Sequence, residues 1–138
     1  MPYPEMMVAP MRQELVRIGF QELRDEEQVG QAMEAMEGTV LVAVNSVCGC
    51  AAGIFRPAVM MALQGDRQPD HKVTVFAGQD LGATAAARTH LVGYPPSSPS
   101  IALLKDGDVV FMLERFQIEG RSAPAIASDL QAAFEEHC

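Results

Sequence analysis

Residues 39–47 read TVLVAVNSV, an aliphatic run dominated by β-branched side chains until it reaches Asn45 and Ser46. Such a run suits a strand covered on both faces, because a strand with one wet face would alternate apolar and polar residues. A second run of the same kind, KVTVFAG, follows at 72–78 after a helical stretch. Two strands buried on both faces need helices above and below the sheet. The chain is thereby constrained to a layered α/β architecture.

The remaining segments supply those helices. MVAPMRQELVRIG (7–19) places Met11, Leu15 and Ile18 at helical spacing, and Gly19 can end the helix. FQEL is a short candidate strand. Asp25 is an N-cap with Glu26 and Glu27 in the first turn, Val29, Met33 and Met36 form an apolar stripe, and Gly38 stops that helix. AAGIFRPAVMMALQ (51–64) reads as a helix that Pro57 should kink. DLGATAAARTHL is an alanine-rich helix, and YPPSSPS (94–100) is a loop. IALLK, then Asp106-Gly107, then VVFMLERF predicts a hairpin on a type I′ turn. Ser122 caps a last helix with Pro124 in its first turn and Ala125, Ile126, Leu130 and Phe134 on its inner face. The order of elements predicts one thioredoxin-like α/β domain over residues 1–138. Its expected core is a mixed β-sheet flanked by helices, with an extra N-terminal helix.

Between the first buried strand and its helix stand Cys48 and Cys50, separated only by Gly49. A cysteine at a helix start meets unpaired N–H groups and the positive end of the helix dipole, both of which favour the nucleophilic thiolate. Cys48 is therefore expected to attack, and Cys50, in the first turn, to resolve the mixed disulfide that forms. Closing a disulfide across one residue requires the chain to bend, and Gly49 is the residue expected to permit it. So small a ring is expected to be easily reduced. Asn45 and Ser46, just upstream, are expected to hydrogen-bond the turn and, more weakly, to tune the thiolate. Ser98-Pro99 opens the strand IALLK at the spacing of a thioredoxin-fold cis-proline. That bond is expected to be cis, with its neighbouring backbone held against the reactive sulfur for an extended substrate to pair with.

Composition narrows the partners. A net charge of −8 on 138 residues argues against nucleic acid and against anionic membrane surfaces. No apolar stretch is long enough to span a bilayer, and MPYPEMMVAP has neither the basic start nor the apolar core of a secretory signal. A cytoplasmic location is expected, where closely spaced cysteines are more often catalytic or metal-binding than structural.

VNSVCGCAAG, TVFAGQD, GYPPSSPS, IEG and the closing FEEHC together resemble the bacilliredoxins, CGC-type thioredoxin-fold proteins also described as disulfide isomerases. The resemblance runs from about Met11 to Cys138. It implies a thiol–disulfide oxidoreductase without a tightly bound cofactor. Its substrates would be proteins carrying bacillithiol as a mixed disulfide, or other disulfide-containing proteins, and its co-substrate bacillithiol or another low-molecular-weight thiol. By position, Cys48 matches the nucleophile, Cys50 the resolving thiol and Pro99 the cis-proline, with Ser98 and Gly49 beside the substrate. Val42 stands where thioredoxin itself carries a buried acid six residues before the first cysteine. Phe116 and Arg121 stand around IEG where related sequences carry histidines.

Two other readings use the same residues. A general protein disulfide reductase or isomerase would differ only in substrate. A soft-metal protein would draw on Cys48, Cys50, His137 and Cys138, although these lack a standard zinc spacing. His71 and His90 stand apart, no G-x-S-x-G elbow occurs, and FAGQDLGA lacks the lysine of a phosphate-binding loop.

Overall fold

A computed structural model describes residues 2–138. The elements, in chain order, are α1 (Glu5–Val16), β1 (Gln21–Glu22), α2 (Glu26–Ala35), β2 (Thr39–Asn45), α3 (Arg56–Ala62), β3 (His71–Phe76), α4 (Leu81–Arg88), β4 (Ser100–Lys105), β5 (Asp108–Leu113), α5 (Arg115–Ile118) and α6 (Ala123–His137). The strands form one sheet in the order β1-β3-β2-β4-β5. β1 and β2 run parallel to β3, whereas β4 is antiparallel to β2 and β5 to β4. This is the expected thioredoxin-like mixed sheet, with α1 as its additional N-terminal helix.

β2 is buried along its whole length, and its two-residue period divides it between two cores. Leu41 and Ala43 join Phe55, Val59, Ile126, Leu130 and Phe134 on the face covered by α1, α3 and α6. Val40, Val42 and Val44 join Val73, Val75, Val29, Ala83 and Ala87 on the face covered by α2 and α4. Asp106 and Gly107 both have positive φ, +50° and +89°, as a type I′ turn requires. Ser122 caps α6 by accepting the Ala125 N–H at 3.3 Å.

Several expectations need correcting. The buried face of α1 is Val8, Arg12 and Leu15, so an arginine takes the place expected for Met11, while Ile18 lies past the end of the helix, partly buried against the core. α6 buries Ala127 and Ala133 rather than Ala125. Pro57 does not simply kink its helix. Helical backbone begins at Gly49, widens into a π-helical turn over Ala51–Phe55, and returns to α-helix at Arg56. Proline lacks an N–H and its ring crowds the carbonyl four residues back, and the wider turn before it relieves that crowding. The segment LERF does not continue the hairpin. Glu114 and Gln117 form a reciprocal capping box, and the chain turns into the short helix α5.

Candidate active site

Three chain ends meet at one edge of the sheet. β2 runs out at Asn45 toward the cysteines. β4 begins opposite it, with Ser100 paired to Val44, and β5 ends at Leu113 paired to Ile101. The sheet register therefore sets the CGC turn, the Ser98-Pro99 segment and the start of α5 side by side. The Ser98-Pro99 bond is cis, as expected.

Cys48 and Cys50 are partly buried free thiols with their Sγ atoms 2.6 Å apart. The chain bends at Gly49, as expected, but by starting the helix rather than by a backbone conformation that only glycine adopts. Gly49 is not among the positive-φ glycines and lies at the start of the helix. Winding a helical turn sets residues two apart at about 5.4 Å between Cα atoms, within the range that sulfurs can bridge. A side chain at Gly49 would meet nothing within 4 Å, so packing does not require a glycine there.

The two thiols are shifted in opposite directions from their ordinary values. The hydrogen bond with Cys50 holds the Cys48 thiol below its ordinary value. Burial opposes this, and the Cys50 and Ala51 N–H groups and the charge of Arg115 reinforce it. Burial first, then the bond to Cys48 and its charge, pushes the Cys50 thiol up. The N–H of Cys50 donates to Cys48 Sγ at 3.4 Å. The pair is thus one ready nucleophile and one thiol that keeps its proton.

Asn45 and Ser46, both buried, shape the turn as expected. The Asn45 side-chain amide donates to the Met11 carbonyl of α1 at 3.1 Å and accepts the Ser46 N–H at 2.9 Å. Ser46 Oγ accepts the Cys48 N–H at 3.1 Å. These bonds act on the geometry of the turn, whereas the lowering of the Cys48 thiol comes from Cys50, Ala51 and Arg115.

Two arginines at the site were not anticipated. Arg56, only 2 % exposed, donates from Nη1 to Asn45 Oδ1 at 3.0 Å and to the Ser46 carbonyl at 2.9 Å, and from Nε to Glu14 at 2.9 Å. It pins the CGC turn to α1. Its signal in the sequence was a single charge inside the apolar run AAGIFRPAVMMA. Arg115, at the start of α5, has its N–H 3.4 Å from Ser97 Oγ and its Nη1 3.3 Å from the Ser98 carbonyl, and it pairs with Glu119. Nothing local in LERFQIE marks it. Arg88 holds the same loop from α4, donating to the Ser97 carbonyl at 3.4 Å.

Comparison with known proteins places these features in a family. The profile of a family described as disulphide isomerase matches residues 3–138. A bacilliredoxin of Geobacillus kaustophilus is 55 % identical over 137 residues, covering 99 % of this chain and 94 % of its own. The chain belongs to the bacilliredoxin family. A bacilliredoxin of Salinibacter ruber is 54 % identical over 140 residues, covering all of this chain and 82 % of its own. Among solved structures, Arabidopsis thaliana thioredoxin O2 aligns with a TM-score of 0.60 at 15 % identity, over 86 % of this chain and 96 % of its own. Chlamydomonas reinhardtii thioredoxin f2 aligns at 0.58 and 16 %, with the same coverage. At such identities these two speak for the fold alone.

Among the described residues, the soft-metal reading finds no ligand set beyond the Cys48–Cys50 pair, and no group of three or more His, Cys, Asp or Glu could hold a metal ion. Of the two positions flanking IEG, Phe116 is exposed and Arg121 pairs with Asp129 at 2.8 Å. Among the described residues, no helix is long and apolar enough to cross a membrane.

Proposed function

We propose that this bacilliredoxin-family oxidoreductase removes bacillithiol from protein mixed disulfides, with Cys48 attacking and Cys50 resolving. What carries the assignment of roles is the place of the thiols at a helix start, where Cys48 Sγ accepts the Cys50 N–H at 3.4 Å and is held below its ordinary value while burial pushes Cys50 up. The Cys48 thiolate attacks the bacillithiol sulfur of the mixed disulfide. That S–S bond breaks, a Cys48–bacillithiol disulfide forms, and the target's cysteine leaves as a thiolate that takes up a proton. Cys50 then gives up its proton and attacks Cys48 Sγ. Bacillithiol departs as the free thiol, and a Cys48–Cys50 disulfide remains. Two external thiol groups, which end as a disulfide, supply the two electrons and two protons that restore the pair. Because the ring spans one residue, this bridge is readily opened again. The target's polypeptide lies along Ser98-Pro99, over the bare surface of Gly49. Residues 1–138 act as one thioredoxin-like unit, and we assign it to the cytoplasm, where a free dithiol persists.

Mass spectrometry of single-cysteine variants tests this. Cys50→Ser, incubated with a bacillithiolated reporter protein, should accumulate bacillithiol on Cys48, and Cys48→Ser should accumulate none. Transfer to Cys50 instead would reverse the roles. The family description as disulphide isomerase favours a second reading, a general reductase or isomerase of protein disulfides. Activity on a protein disulfide without bacillithiol transfer would select it.

A further inference from the structure

The start of α5 carries a cation with unused donors beside the thiols. Its place follows from the sheet: Leu113 pairs with Ile101, so the chain leaving β5 runs back past the segment that enters β4. The Arg115 Nη1 is 3.3 Å from the Ser98 carbonyl, and its N–H is 3.4 Å from Ser97 Oγ. Its charge acts on both active-site sulfurs. A guanidinium has five N–H donors. Here Nε is engaged by Glu119 and Nη1 by the Ser98 carbonyl, and among the described residues Nη2 has no bond. The partner, Glu119, lies on the same short element, and the two side chains are 46 % and 50 % exposed. A surface pair of that kind is weak, so another carboxylate can replace Glu119 at little cost. The chain as a whole carries a charge of −8, so a cation at this edge stands against its background.

We propose that Arg115 is the specificity-determining residue for the small-thiol half of the mixed disulfide, its guanidinium receiving a carboxylate of that thiol while the thiol's sulfur faces Cys48. This rests on the proposed function and names the part of the substrate that the site reads. Bacillithiol carries carboxylates on its malate group, and an arginine fork matches a carboxylate better than a lysine does. The small thiol docks at the α5 side of Cys48, and the polypeptide that carries it lies along Ser98-Pro99.

The test uses one reporter protein blocked on its cysteine with bacillithiol, glutathione or 2-mercaptoethanol. The first two present carboxylates and the third presents none. The readout is selectivity, kcat/KM on a carboxylate-bearing adduct divided by kcat/KM on the mercaptoethanol adduct. Any effect of Arg115 on the Cys48 thiolate is common to all three substrates and cancels. In Arg115→Gln, selectivity should fall about tenfold, as for loss of one charge-assisted hydrogen bond, through a higher KM on the carboxylate-bearing adducts. Arg115→Lys should fall between, and Glu119→Gln, which removes the competing carboxylate, should raise selectivity. Equal losses on all three substrates in Arg115→Gln would overturn the proposal, as would unchanged rates. Should Arg115→Gln not fold, unchanged selectivity in Arg115→Lys and Glu119→Gln would overturn it. A wild-type protein that clears glutathione but not bacillithiol would refute the proposed substrate, while its glutathione selectivity still decides the role of Arg115. One that clears neither refutes both.

Discussion

At the residue scale the chemistry depends on an asymmetry between two chemically identical side chains. Cys48 and Cys50 differ only in their neighbours, and those neighbours hold one thiol down and push the other up. The pH dependence follows from the sign. A lowered Cys48 value means that its thiolate, and so its rate of attack, is gained as pH rises through a value below that of an ordinary thiol. Alkylation of Cys50→Ala with iodoacetamide across pH should therefore inflect above the wild-type Cys48 inflection, because alanine, unlike serine, leaves no side-chain donor for the Cys48 sulfur. An unchanged inflection would remove Cys50 as the principal cause. Arg56 is the second decisive residue. Arg56→Met would leave the Ser46 carbonyl without its side-chain donor and Asn45 Oδ1 with the Ser46 N–H alone, and should cost about 2 kcal/mol in denaturant unfolding, as for a buried acceptor left unpaired. Arg56→Lys should recover little, since one ammonium cannot span Asn45, Ser46 and Glu14.

At the element scale each strand was legible because its pattern is local. β2 and β3 announce themselves as aliphatic runs, and the 106–107 turn by its Asp-Gly pair. The connection into β2 depends on a longer-range fit. Gly38 has φ +79°, and a Cβ there would come 2.2 Å from the Asp70 carboxylate. That carboxylate accepts the Thr39 N–H at 3.0 Å and the Thr39 hydroxyl at 3.2 Å, which ties the start of β2 to the start of β3. Gly38→Ala must therefore adopt a left-handed backbone and displace Asp70. A loss of about 2 kcal/mol in unfolding free energy is expected, of which the backbone alone accounts for roughly half. Gly49→Ala, where φ is negative and the space open, should lose none. The π-helical turn before Pro57 and the short helix α5 are the elements that the sequence pattern missed. The first is a compromise between helix and proline that periodicity does not encode. The second is shorter than the window over which periodicity can be read.

At the scale of the whole molecule α1 is more than an appendage to a thioredoxin-like sheet. It supplies the Met11 carbonyl and Glu14 to the CGC turn, and from its buried face Arg12. Arg12 bonds Asp80 ahead of α4 at 2.6 and 3.0 Å, Glu5 at 2.9 and 3.1 Å, and Glu22 of β1 at 3.4 Å, with its guanidinium over the Phe76 ring at 5.3 Å. It locks α1 to the edge of the sheet. Arg12→Met would leave three carboxylates facing a site built for a cation, and should destabilise the protein by about 3 kcal/mol in denaturant unfolding. The same variant should slow exchange on Cys48, because the CGC turn hangs from α1. Loss of stability with unchanged exchange would show that α1 braces the sheet but not the site.

The sequence by itself determined the strands, the thiol pair at a strand-to-helix turn, the proline facing it and the family. Each is written in adjacent residues, as a periodicity, a turn dipeptide or a short motif. Only the tertiary structure decided what the arginines do. Arg12 meets Asp80 across 68 residues, Arg56 meets Glu14 across 42, and Arg115 meets the Ser98 carbonyl across 17. A charge becomes a buried brace or an active-site cation through the partners that distant elements bring to it. Those partners are adjacent only once the sheet has formed.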